Sequence, residues 1–99
     1  MVERGPFSNT ARRLARRGFH CTLQNSDAGE VHKNTVRDSD TLIVAMDGVL
    51  EVEFKGATHF PSSGREILVP AWVSHTVRNG GTERAAWIRA SQIDLVQTD

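Results

Sequence analysis

The chain is short of most features that would mark a specialised class. It has a single cysteine, Cys21, so no internal disulfide can form and the cross-linked framework of small secreted domains is excluded. A lone cysteine of this kind reads as a small packed hydrophobe rather than a nucleophile. There is no tyrosine, and aromatic residues make up only 6% of the chain. No helix-turn-helix, zinc finger or aromatic stacking platform for nucleic acid is visible. Formal net charge is zero, so nothing global steers the chain toward nucleic acid or an anionic membrane. Near-neutrality also leaves little repulsion to oppose self-association. The longest apolar run, Leu42–Met46, is far too short to cross a bilayer. Residues 1–20 contain five arginines and no apolar stretch, which argues against a secretory signal there. The expected setting is a reducing cytoplasm, with no membrane partner.

What is present is a 99-residue chain, 38% hydrophobic and 24% charged, the composition of one globular domain. At that length about two-thirds of the unfolded surface can be buried. Residues 1–7 read as a terminal arm. Ser8 or Asn9 is placed to cap a short helix from about Thr10 to Arg17, with Gly18 to stop it. Ala11, Leu14 and Ala15 share one narrow face of that helix, which must dock on something to persist. Beyond it the texture changes to short strands broken by turns. Stretches near 19–24, 30–37, 41–46, 50–54, 58–60, 66–69, 76–78 and 85–90 are extended in character. Turn clusters such as Asn25–Gly29, Asp47-Gly48 and Asn79-Gly80-Gly81 separate them. Eight strands at this spacing imply an all-β sandwich or barrel. The organisation is therefore an arm and helix at 1–18 followed by a β-domain at 19–99. Thr41–Met46 is apolar at both parities, so that strand should be covered on both faces. Its outward-facing set suggests a homodimer that packs one sheet face, or exchanges edge strands, across the interface.

Two spaced patterns then stand out. In the first, Gly29, Thr35, Arg37, Thr41 and Gly48 fall at fixed intervals; in the second, Gly64, Pro70, His75 and Asn79 do so. Fifteen residues lie between Gly48 and Gly64. In these intervals the chain resembles the cupin family, whose motifs carry glycines, the second-motif histidine and the final asparagine at the same spacings. Trp72 stands where the family prefers glycine. The segment from Glu66 to Asn79 is particularly like small stand-alone cupins. The resemblance implies a double-stranded β-helix, or jelly-roll barrel, with the short N-terminal helix appended.

The resemblance also implies a divalent metal, held by two histidines and a glutamate of the first motif and the histidine of the second. Position by position, the first three are Thr35, Arg37 and Thr41 here, and only His75 remains. Threonine is a poor ligand for a transition metal and a guanidinium cannot ligate at all. No metal cofactor is expected. A rebuilt site would have to draw on His20, Cys21, His32 or His59, but the strand parity of His32 and His59 favours the outside of the barrel. Of Trp72 and Trp87, one should be plain core.

Three functions compete. The leading expectation is a small-molecule binding module in which Thr35, Arg37, Thr41, Trp72 and His75 line an interior pocket for an organic anion. Arg37 would supply the charge the metal no longer does. The second is an enzyme, with His75 as the acid–base catalyst or a rebuilt metal site. The third is an adaptor that binds protein or nucleic acid through the arginines at 12, 13, 16 and 17. Arginine stems cover apolar surface well, so a solvated helix face is the plainer account of that cluster, and nucleic acid is not the expected partner.

Overall fold

A computed structural model of the chain describes residues 6–92. Residues 1–5 of the arm expected at 1–7, and residues 93–99 of the expected β-domain, lie outside the described residues, whereas Pro6 and Phe7 are helical. One helix is followed by eight strands. These are α1 (Pro6–Arg16), β1 (Phe19–Ser26), β2 (Val31–Thr35), β3 (Thr41–Asp47) and β4 (Leu50–Phe54), then β5 (Ala57–His59), β6 (Glu66–Val69), β7 (His75–Asn79) and β8 (Ala85–Gln92). They form two four-stranded antiparallel sheets, ordered β1-β8-β3-β6 and β2-β7-β4-β5. Nearly every extended stretch read from the sequence is a strand. The exception that matters is β2, which ends at Thr35 and leaves Arg37 in the loop that crosses from one sheet to the other.

The helix begins four residues earlier than the Ser8/Asn9 cap signal implied. Proline is pre-set for the first helical turn, and Pro6 occupies it. That adds Phe7 one turn ahead of Ala11 and Leu14, widening the apolar stripe. Gly18, at φ +92°, ends the helix as expected.

Sheet packing follows strand parity. Ile43 and Ala45 of β3 point between the sheets and pack with Leu50, Val52, Val69, Val77 and Trp87. Leu42 and Val44 point the other way and meet Ile88, Ala90 and Leu14. The doubly covered strand expected at 41–46 is thus present, but its outer cover is the chain's own helix. The outward apolar set that suggested a dimer face is consumed within one copy. Cys21 packs at the edge of this helix-covered cluster, and burial pushes its thiol up, away from the reactive thiolate form. Gly48 has a second reason to be glycine besides its φ of +88°. A Cβ there would lie 2.9 Å from the backbone of Ala85, so the β3–β4 turn closes directly against the start of β8.

Leu14 is fully buried and is the helix's main anchor on the sheet. Leu14→Ala should cost about 2–5 kcal/mol by leaving a cavity between helix and sheet. Urea unfolding followed by Trp87 fluorescence measures this; a loss below half a unit, about 0.5 kcal/mol, would mean the helix contributes little.

Candidate functional site

One end of the barrel collects the close of β2, the opening of β3, the opening of β7 and the close of β8. The pairing fixes this: Thr35 lies across from His75, and Thr41 lies between Val69 and Ser91. Inward parity on β7 gives His75, Val77 and Asn79; on β8 it gives Ala85, Trp87 and Arg89. His75 and Arg89 therefore meet between the sheets, at 2% and 8% exposure. Arg89 Nη1 lies 2.9 Å from His75 Nε2, and the other ring nitrogen, Nδ1, is 3.4 Å from the Val73 carbonyl oxygen. A guanidinium only donates and a carbonyl only accepts. His75 must then accept at Nε2 and donate from Nδ1–H, which is the neutral imidazole in one defined tautomer.

The electrostatics agree with that geometry. Burial holds the His75 pKa below its ordinary value; the Val73 carbonyl opposes this, and the charges of Arg89 and Arg37 add to the depression. Burial likewise lowers Arg89, with Arg37 contributing. Among the described residues no carboxylate lies within ion-pairing distance of Arg89. Its other close neighbour is the face of Trp87, with the guanidinium carbon 5.1 Å from the ring centroid. Trp87 passes the polar chain onward, because its Nε1–H donates to Ser26 Oγ at 3.0 Å.

The expected site residues fall in different places. His75 is where the motif puts it. Thr41 is buried beside it in the barrel end, with its hydroxyl donating to the Ser39 carbonyl at 3.3 Å. Thr35 is half-buried. Arg37 is not the interior cation. It is exposed, and its Nη2 donates to Ser91 Oγ at 3.1 Å, so the side chain reaches from the β2–β3 loop to the end of β8 at the barrel rim. The reason is that β2 ends at Thr35, after a bulge in which the register shifts between His32 and Thr35 and Asn34 takes φ +50°. The same bulge reverses the parity argument for His32. It contacts the buried Trp87 edge-on at 5.7 Å and lies 3.3 Å from Ser26 Oγ, rather than facing away from the core. Of the two tryptophans Trp87 is the core residue, whereas Trp72 is 72% exposed and so does not line the interior.

Arg89 is the residue that sequence reasoning missed. A signal existed. In Ala85–Ala90 the arginine interrupts an apolar run at the parity of Trp87, so a strand that buries the tryptophan turns the arginine to the same face. Asn79 of the second motif is structural: its amide donates to the carbonyls of Ser26 and Glu83 at 3.0 and 2.8 Å and accepts from Gly81 N–H at 2.9 Å. It ties the β7–β8 loop to the end of β1 at the far end of the barrel. Outside the barrel end, an open groove of about 220 Å³ lined by Asn34, Glu53, Lys55, Ser74 and Thr76 leads to one edge of His75.

A divalent metal does not fit these residues. The one histidine at the four ligand positions has its Nε2 lone pair engaged by a guanidinium, and that fixed charge would repel a cation. Among the described residues no three His, Cys, Asp or Glu side chains gather as a metal site.

Protonating His75 would put N–H against N–H at Arg89. With the folded value depressed, the unfolded chain takes up the proton first as pH falls, so stability rises with pH in this window. The contribution is complete above about pH 6.5 and is lost as pH drops from there toward the depressed folded value. Melting temperature should therefore fall more between about pH 7.5 and about pH 5.5 for the native protein than for His75→Gln, whose amide oxygen still accepts from Arg89. Equal falls would mean that His75 is not held neutral by the fold.

No family model matches the chain, and no curated protein does. Solved structures do. A cupin superfamily protein from Desulfitobacterium hafniense aligns at TM-score 0.68 and 21% identity, over 77% of this chain and 68% of the other. A Cupin 2 conserved barrel domain protein from Salinispora arenicola aligns at TM-score 0.68 and 19% identity, over 79% and 65%. A salicylate 1,2-dioxygenase from Pseudaminobacter salicylatoxidans aligns at TM-score 0.69 and 18% identity, over 76% of this chain but 22% of that enzyme. At such identities the likeness is one of architecture, and it coincides with the two-sheet topology and the glycine-framed motif intervals: the chain has the cupin fold.

Proposed function

We propose that the barrel end binds a small organic anion, with Arg89 as its buried counter-charge. The observation that carries this reading is a guanidinium 8% exposed with no described carboxylate in ion-pairing range. Holding an unpaired charge in such a place costs several kcal/mol. The neutral His75 satisfies one N–H and the Trp87 ring adds a cation–π contact, but neither cancels a charge. A second guanidinium, Arg37, stands at the rim, close enough that its field depresses both Arg89 and His75. Two cations that disfavour each other gain most from a shared anion, and the planar fork of arginine suits a carboxylate or phosphate. His75 acts in this reading as the acceptor that fixes the Arg89 fork. With both ring nitrogens already engaged, it supports binding better than proton transfer. The adaptor reading rests on exposed arginines of the helix, of which Arg17 pairs with Glu66 at 2.9 Å, and a solvated face accounts for the others as well.

Calorimetric titration with acetate and with inorganic phosphate at low ionic strength tests the proposal. At least one probe should bind, and Arg89→Met should abolish that binding while circular dichroism shows the fold retained; the variant sheds a buried charge but leaves His75 Nε2 without its donor. Arg37→Met should weaken binding about tenfold, the lower end of a charge-assisted contact. Unchanged binding in Arg89→Met, or no binding of either probe by the native protein, would sink the reading.

A further inference from the structure

The mouth of the same barrel end carries an unusual side chain. Trp72 lies in the β6–β7 loop, three residues before His75, and is 72% exposed. Its backbone is in the left-handed region, at φ +68°, where a bulky side chain is strained and a glycine is not. The fold makes no visible use of the indole. The next residue, Val73, supplies the loop's contact with the core. The Trp72 amide donates to the Arg37 carbonyl at 2.8 Å, a bond that any residue but proline could make. That bond places the exposed Trp72 beside Arg37 and next to Val36, itself 50% exposed. A strained, solvent-facing tryptophan is thus tied through its backbone to the loop that carries Val36 and the rim arginine, Arg37. Asp40 is the nearby acid whose partner is defined, and one of its oxygens is taken by the Ala71 amide at 2.9 Å. The rim thus offers apolar surface beside the Arg37 guanidinium, in a loop that also carries Asp38 and Asp40.

We propose that Trp72 and Val36 select among anions, so that the ligand is an amphipathic carboxylate, its charged end at Arg89 and its aryl or alkyl part against the indole. This rests on the anion-binding reading and narrows it to a chemical class. Backbone strain retained at an exposed position is accounted for if the indole meets a ligand there. Apolar surface covered on binding adds affinity that a bare carboxylate does not gain.

The test compares acetate with benzoate by calorimetry in the native protein and in Trp72→Gly, with light scattering and thermal melts on both. The native protein should bind benzoate at least about tenfold tighter than acetate, about 1.4 kcal/mol. Trp72→Gly should lose most of that preference, keep its acetate affinity and melt at a higher temperature as the strain is relieved. Affinity and stability moving in opposite directions is a signature that a purely structural role would not produce. Equal affinities for the two probes, or a preference untouched in Trp72→Gly, would overturn this inference and leave the anion site standing. No binding of acetate or benzoate would overturn this inference, and the anion site with it only if phosphate is not bound either. A native dimer that becomes a monomer in Trp72→Gly would also overturn it, assigning the indole to an interface between copies.

Discussion

A guanidinium buried among strands needs an acceptor, and at Arg89 that acceptor is a neutral imidazole. Much of the interior follows from this one hydrogen bond. Because arginine cannot give up its donor character, His75 must present a lone pair, and because the lone pair is spent on Arg89, its other nitrogen must carry the proton toward Val73. The pair joins β7 of one sheet to β8 of the other across the barrel. It continues through the Trp87 face to Ser26 and His32, so polar groups run along a core otherwise built from Val, Ile, Leu and Ala. Among the described residues no buried side-chain nitrogen or oxygen is left without a partner. Hydrogen bonding is thus complete among them, while Arg89 has no described carboxylate in ion-pairing range.

The helix resolves a different constraint. The sheet β1-β8-β3-β6 is apolar on both sides, and a face of that kind exposed to water would favour association. Leu14, with Phe7, covers it from within the chain. The ion pair of Arg17 with Glu66 lies at the helix end, mostly in water, and adds little to what the apolar contact already supplies. The opposite sheet has no such cover and does not call for one, because the outward positions of β4 and β5 are Glu51, Glu53 and Thr58.

The two ends of the barrel have divided their labour. At one end Asn79 ties the β7–β8 loop to the end of β1 through three hydrogen bonds, and Gly48 lets a turn close against Ala85. Those motif residues are about shape. At the other end the positions from which metal ligands would converge hold two threonines, one rim arginine and the histidine now bonded to Arg89. Positive charge has been kept at that end, supplied by a different strand from the one the motif spacing pointed to.

Alternation, turn residues and glycine spacing were enough to determine an eight-stranded barrel with a leading helix, because each reports a local property: which face of a strand is apolar, or where a backbone must reverse. The same local signals placed His75 inside and Thr41 beside it. They could not place Arg37, since no pattern marks that β2 stops at Thr35, nor His32, since the one-residue bulge at Asn34 reverses its parity against Thr35. Nor could they choose Arg89, because an arginine in an apolar strand is a conflict whose resolution depends on what the facing sheet offers. Only the tertiary structure decided that, by setting a neutral imidazole from β7 within 2.9 Å of the guanidinium from β8. Contacts between strands of different sheets are fixed by packing, not by sequence spacing, and the candidate site is made of such contacts.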